Sequence, residues 1–452
     1  MAMVQTRKHK TAHRRSTTGL LLLLAFGTLP AAASAQTLVQ LFDAARSTDA
    51  TYQSARAQYE ANLAKADQSR ALILPSASLS AGASRNTYDS TTPNVDGPYT
   101  ALTASVGATQ PLYRPGNWAG YEQGLKLTDI AKAQLMVAEQ DLVIRVAQAY
   151  FDVLAAQDTL AFVQAQKAAV AEQLASARRN FEVGTATITD TREAQARHDL
   201  VMAQEIAAAN DLRVKKLALD TVVSRTDARP TPLAQPVPLP VLTGDAETWV
   251  QQAEGHPVVQ QARIGVDVAR LETEKARAGH KPTVDLQATY GINRYPQGYP
   301  SNSLAYGTRQ NQGSLGVQVT VPLFAGYSVQ NRVRETLSLE DKATADLEAA
   351  RRIVVQNTRT AYYGVMSGKG QVEALQAAET SSQSALDANK LGYQVGVRIN
   401  IDVLNAQSQL YQTKRDLAQA RYNVLLGELR LRQASGSLRA EDLQGIEALL
   451  VR

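Results

Sequence analysis

The chain has 452 residues and a formal net charge of +5, from 47 Lys+Arg against 42 Asp+Glu. It has no cysteine, which excludes structural disulfides, thiol catalysis, thiolate metal sites and a lipid-modified N-terminal cysteine. Beyond residue 35 the only histidines are His198, His256 and His280, far apart and without metal-ligand spacing, and no nucleophile elbow, Gly-rich phosphate loop or HExxH is present. No catalytic residue, cofactor or metal site is therefore expected.

Residues 1–35 read as a signal peptide. Arg7, Lys8, Lys10, Arg14 and Arg15 form a basic n-region, residues 19–29 an apolar h-region, and Ala33-Ser-Ala35 a small-residue cleavage site. The apolar run is too short to span a bilayer. This leader holds five basic and no acidic residues, so the remainder carries 42 of each sign and no net charge. A nucleic-acid partner, which needs a basic surface, is not expected.

Residues 38–74 read as a helix ended by Pro75. Residues 76–88 read as a strand with Ala77, Leu79, Ala81 and Ala83 on one face, and residues 100–110 as a second with Leu102, Ala104, Val106 and Ala108 on one face. A Pro/Asn/Asp/Gly loop is expected between them. From residue 117 to about 182 there is no proline, and a helix of that length reaches roughly 100 Å at ~1.5 Å per residue, far beyond an ordinary globular helix. Gly184 ends it, and a second long helix is expected over 189–224. Five prolines between residues 229 and 242 mark an extended linker.

The pattern then repeats. A helix is expected over 246–279. Strands follow at 282–292 (Val284, Leu286, Ala288, Tyr290 and Ile292 on one face) and 314–323 (Leu315, Val317, Val319 and Val321 on one face). A long helix is expected over 328–391 with room for bends at Gly364, Gly368 and Gly370, and a last helix over 400–434. In that last helix Val403, Ala406, Leu410, Thr413, Leu417, Ala420, Val424, Gly427 and Leu431 step by threes and fours, a coiled-coil seam.

The repetition is literal at an offset of 212. It pairs Gly184 with Gly396, Asp190 with Asp402, Ala194-Gln195 with Ala406-Gln407, and Ala149-Tyr150-Phe151 with Ala361-Tyr362-Tyr363. Gln110-Pro-Leu-Tyr113 matches Val321-Pro-Leu-Phe324 with a one-residue slip. The chain is a duplicated half-protein: 36–228 as first repeat, 229–244 as linker, 245–436 as second repeat, 437–452 as tail.

The alternating strands have the length and pattern of transmembrane β-strands, with Tyr88, Tyr99, Tyr290, Tyr295, Tyr299 and Tyr306 at loop ends where an interfacial girdle would sit. Four strands cannot close a barrel, and an open edge is not tolerated in lipid. Strands from several chains must combine, and two, three or four chains satisfy the symmetry. A structural coiled-coil protein of the periplasm with a small soluble sheet is the competing reading. An enzyme of cell-envelope polymers has no paired carboxylates to support it.

Over essentially its whole length beyond the leader, the chain resembles the TolC family of trimeric outer-membrane export ducts. The resemblance is carried by the duplicated halves, by Gln110-Pro-Leu-Tyr113 and Val321-Pro-Leu-Phe324-Ala-Gly326, and by the turn motifs Val183-Gly-Thr-Ala-Thr-Ile-Thr-Asp190 and Val395-Gly-Val-Arg-Ile-Asn-Ile-Asp402-Val-Leu-Asn-Ala-Gln407. It implies a mainly α chain with a transmembrane β-barrel: a homotrimer with 12 strands in the outer membrane and an α-helical barrel in the periplasm. The linker and tail are expected in an equatorial region. Its partners would be outer-membrane lipid, a periplasmic adaptor and, through the adaptor, an inner-membrane transporter. The resemblance further implies a gate at the helix turns, pairing Tyr393 with Asp190 and Arg398 with Thr189. It places an entrance constriction at Asp402, with Asn405 where the family has a second acid, and adaptor docking at Val183-Gly184 and Val395-Gly396.

Overall fold

A computed structural model describes residues 36–91, 94–234, 237, 239, 241–298 and 307–450. The signal-peptide reading of 1–35 lies outside the described residues, as do Tyr299 and Tyr306. In chain order the elements are α1 (Leu38–Thr48), α2 (Ala50–Arg70), β1 (Ser76–Thr91), β2 (Asn94–Tyr113), α3 (Pro115–Glu182), α4 (Ile188–Val223), α5 (Ala246–Gln252), α6 (Pro257–Ala278), β3 (Thr283–Tyr295), β4 (Thr308–Thr320), α7 (Ser328–Gln394), α8 (Asn400–Ala434) and α9 (Asp442–Glu447). The chain is mainly helical, with four antiparallel strands.

The two long helices have 68 and 67 residues. Neither contains an internal proline, and α7 runs uninterrupted through Gly364, Gly368 and Gly370. Two of the glycines at the α7–α8 contact serve close approach: a Cβ on Gly368 would stand 3.0 Å from a methyl of Val424, and one on Gly427 3.2 Å from a methyl of Val365. The α8 seam packs as expected, with Val403, Leu410, Thr413, Leu417, Ala420, Val424 and Leu431 buried. A second buried face of α8 (Leu404, Tyr422, Leu425, Leu426, Leu429) meets α3, so α8 is buried on two sides rather than along one seam.

Two expected helices are broken. Residues 38–74 divide at Asp49, whose extended backbone (φ −62°, ψ 117°) ends α1 while its carboxylate accepts the Tyr52 N–H at 2.7 Å and caps α2. Arg145 of α3 fixes the same carboxylate through two 3.0 Å bonds. Burial of Asp49 opposes ionisation, but the Arg145 guanidinium and the cap outweigh it and hold the carboxyl below its usual range. Residues 246–279 divide at a 3₁₀ turn over 253–255, because Pro257 cannot donate within a continuous helix and starts α6 instead.

The largest core surrounds the middle of α3, where Leu142, Val143, Val146, Ala147, Tyr150, Phe151, Val153 and Leu154 are all buried. Around them pack α1, the end of α4, Tyr422 to Leu429 of α8, Leu233 of the linker, and Leu443, Ile446 and Leu450 of the tail. Linker and tail meet directly through a bridge between Leu233 and Leu450, and the Tyr150 hydroxyl donates to the Thr231 carbonyl at 2.6 Å.

The sheet order is β1-β2-β3-β4, every pair antiparallel. At the hairpin ends the strands run further than expected, so residues 89–91, 94–99, 293–295 and 308–312 are paired strand, whereas β4 stops at Thr320, short of its expected end at 323. Register brings the alternation of all four strands onto common faces. Leu79 lies opposite Val106, which lies opposite Tyr290, then Gly313; Ala77, Ala108, Ala288 and Leu315 form the next row. The reverse face is polar, with Ser80–Ser105, Thr289–Ser314 and Gln287–Gln318 side-chain bonds across neighbouring strands. The expected tyrosine girdle is not on the apolar face. Tyr88, Tyr99 and Tyr295 share the parity of the polar face, and Tyr99 packs on Tyr295 there at 6.2 Å; of the described tyrosines in that set only Tyr290 is on the apolar side. No described helix is long and apolar enough to cross a membrane.

If the apolar face meets lipid, charge at its centre is costly. Leu315→Arg, in a central row and 76% exposed in the protomer, is expected to cost ~2–4 kcal/mol per chain and abolish assembled barrel in outer-membrane fractions. Ser314→Arg, one residue away on the polar face, should leave yield intact. Equal yields of the two would reverse the assignment of the faces.

Candidate functional site

The residues singled out by the duplication lie at two turns, α3–α4 and α7–α8, whose hydrogen bonds repeat at the same offset of 212. In the first turn the Val183 N–H donates to Arg179 O and the Thr185 N–H to Asn180 O; in the second, Val395 donates to Leu391 O and Val397 to Gly392 O, at 2.8–3.1 Å. Gly184 (φ 80°) and Gly396 (φ 81°) supply the left-handed residue that such helix ends require. Outside the turns the surface is apolar: Val183, Val395, Val397 and Ile399 are all more than 60% exposed.

The repeats part company at the start of the second helix of each pair. Thr187 and Asp190 form a capping box, with the Asp190 carboxylate accepting from the Thr187 N–H (2.9 Å) and hydroxyl (2.7 Å). The equivalent of Thr187 is Ile399, which has no cap to offer. Asp402, the equivalent of Asp190, is thereby released and pairs with Arg398 at 3.6 Å.

Four side-chain hydrogen bonds join the helices of the two repeats here. Asn180 of α3 donates to the Tyr393 hydroxyl of α7 at 3.3 Å. Arg197 of α4 donates to Asn405 of α8 at 2.9 Å. Asn400, fully buried, accepts from Gln173 of α3 at 2.5 Å and donates to the Asp190 carbonyl of α4 at 3.2 Å. The expected Tyr393–Asp190 and Arg398–Thr189 bonds are not formed within the protomer. Asp190 is held by its own cap, Arg398 reaches Asp402 one turn along, and Thr189 is exposed without a side-chain bond among the described residues. Asn400 and Asn180 were missed in the sequence. Asn400 follows Ile399 at a helix start, where an Asn reads as a local cap, and its burial depends on helices more than 200 residues away.

No group of three or more potential metal ligands occurs among the described residues. The set offers neutral and ionic hydrogen bonds around one buried side chain, Asn400, suited to holding the helices of the two repeats together.

A family described as "Outer membrane efflux protein" matches residues 41–224 and 249–437. The chain belongs to that family. It is similar to the outer membrane protein TolC of Vibrio cholerae, 33% identical over 94% of this chain and 96% of the relative. It is also similar to the alkaline protease secretion protein AprF of Pseudomonas aeruginosa, 29% identical over 92% of this chain and 87% of the relative. Its fold matches the crystal structure of the outer membrane protein VceC from Vibrio cholerae with a TM-score of 0.76 and 19% identity, covering 89% of this chain and 96% of that one. This outer-membrane efflux protein is therefore an exit duct of the Gram-negative outer membrane, with its helices on the periplasmic side. The family is one of channel proteins rather than enzymes.

In this efflux-family chain Asn400 is the buried pin of the helix turns. Asn400→Ala leaves the Gln173 amide without its acceptor, removes the cross-helix bond to the Asp190 carbonyl, and is expected to cost about 1–3 kcal/mol. Backbone hydrogen exchange should rise over 188–192 and 399–404 while residues around Tyr150 stay protected. Uniform loosening, or none, would deny Asn400 this local role.

Proposed function

We propose that the protein acts as a homotrimer: a passive duct whose twelve strands close one barrel, and whose helix turns form a periplasmic entrance opened by an adaptor and an inner-membrane transporter. The observation that carries this reading is the sheet. Its apolar face runs across all four strands, yet the outer edges of β1 and β4 have no strand partner among the described residues. In lipid their free N–H and C=O groups demand further strands, and three copies supply twelve. A family described by efflux and a relative named for alkaline protease secretion favour a cargo delivered from the inner membrane. In this reading 1–35 is a cleaved signal peptide, 36–228 and 245–436 are the two repeats, and 229–244 with 437–452 form the equatorial collar.

The gate consists of Thr189, Asp190, Tyr393 and Arg398, with Asp402 and Asn405 lining the constriction behind it. Asn405 in the second position removes one of two acidic rings and weakens cation attraction at the entrance. The exposed Val183-Gly184 and Val395-Gly396 turns dock the adaptor. The protomer's own bonds for Tyr393 and Arg398 are single and partly exposed, so exchanging them for links between neighbouring chains costs little.

Two measurements test this. The mature protein in detergent should have the mass of three chains; a folded, stable monomer would sink the architecture. Tyr393→Phe combined with Arg398→Ser should raise single-channel conductance in a planar bilayer. Each link is worth about 1 kcal/mol, but three copies of two links are lost together, enough to shift a two-state tip strongly towards open. Unchanged conductance from an intact trimer would place the gate elsewhere.

A further inference from the structure

The two rims of the apolar sheet face differ chemically. At the helix end the exposed side chains are apolar and aromatic: Val321, Leu323, Phe324 and Tyr327, the last two packed edge-on at 5.6 Å. At the hairpin end the same face finishes in arginines. Arg294 and Arg309 are direct register partners on β3 and β4, in the row that continues to Leu102 and Ala83. Arg85 on β1 lies two residues further out, in the next row of the same face, opposite Thr100. All three are exposed, and none enters an ion pair among the described residues; Arg309 Nε donates to Asn311 at 3.2 Å.

Two guanidinium groups directly opposite one another repel, and a strand pair ordinarily avoids that arrangement. Sequence offers no relief. Between Asp285 and Glu335 the chain has no acidic residue. The nearest acids on this face, Asp89 opposite Asp96, stand further out on the other hairpin, so the cations form a belt between the apolar band and that acidic tip. An oxyanion that accepts from both arginines turns the repulsion into paired charge-assisted hydrogen bonds, and guanidinium matches phosphate in geometry. A soluble phosphate would meet this belt only at the edge of hydrocarbon. A lipid phosphate arrives there with its acyl chains on Leu102, Ile292 and Leu315.

We propose that Arg294, Arg309 and Arg85 form a binding belt for the phosphates of a phosphorylated glycolipid of the outer leaflet. The inference rests on the barrel reading above. A glycolipid phosphomonoester carries no tethered amine, unlike phosphatidylethanolamine, and so leaves its full charge for the arginine pair. Arg85, two strands away and about 10 Å across the sheet, is placed for a second phosphate on the same or a neighbouring molecule.

The test uses the full mature protein in detergent, titrated with bisphosphorylated lipid A, the same lipid after enzymatic dephosphorylation, or phosphatidylethanolamine. Bound lipid is counted by native mass spectrometry, and the dissociation temperature of the trimer is followed in parallel. Wild type should bind the phosphorylated lipid at least tenfold more tightly than either alternative and be heat-stabilised by it. Arg294→Gln with Arg309→Gln should remain trimeric and conducting but lose that preference, and Arg294→Lys with Arg309→Lys should keep part of it. A wild-type trimer indifferent to the phosphates, or a double Gln variant that retains the preference, overturns the inference. A wild-type chain that is monomeric and folded overturns the barrel reading on which it rests.

Discussion

Backbone satisfaction at the sheet edges is the constraint on which the rest of this molecule depends. A strand edge in water finds solvent partners, but in hydrocarbon each orphaned amide or carbonyl costs several kcal/mol. The chain commits only four strands to the sheet and leaves both β1 and β4 open. A short hairpin protein would avoid membranes on these terms. Here the apolar face is continuous across all four strands, so the sheet is poorly suited to water as well. In the proposed trimer those edges pair with further copies of the chain.

That demand explains features that look wasteful in one protomer. Ile206, Val214 and Leu217 on α4, and Ile353, Tyr363 and Met366 on α7, are exposed along helices with no further element to cover them. The duplicated aromatic pair shows the same division. Tyr150 and Phe151 are buried beneath linker and tail, whereas of their counterparts Tyr362 is half-buried and Tyr363 is 62% exposed. Duplication supplied two similar halves, and the linker and tail used one of them as a core while the other kept a surface suited to neighbours.

Much of this was legible in the sequence because it is written in period. The strand faces, the glycine-ended turns and the α8 seam depend on residues two, three or four apart. Long helices announce themselves by missing prolines. The breaks at Asp49 and Pro257 were locally encoded but masked by helix-forming composition on either side. The tyrosines are misplaced when only their nearness to a loop is read: Tyr88, Tyr99 and Tyr295 each stand an odd number of residues from the apolar positions of their own strands, which turns them to the opposite face. The tip bonds were the least legible. Asp190 and Asp402 occupy matching positions, yet Thr187 in one copy and Ile399 in the other send the two carboxylates to different partners. One ethyl-for-hydroxyl difference, Ile399 against Thr187, changes the wiring of the site.

The length of the helices has a mechanical consequence. The largest core holds α3 around residues 142–155; beyond it α3 packs against α4 and α8 through Val163, Val170, Leu174 and Ala177, and its turn begins at Val183, some 28 residues or roughly 40 Å from that core. Over that arm a tilt of one degree displaces the turn by about 0.7 Å. Hydrogen bonds lose most of their strength over a comparable stretch. The polar links at the turns are therefore sensitive to angle: a small rotation of the helices about the core around Tyr150 changes them before it disturbs the contacts of that core. Force applied at the far end of such a lever needs little travel, and the stiff core acts as its fulcrum.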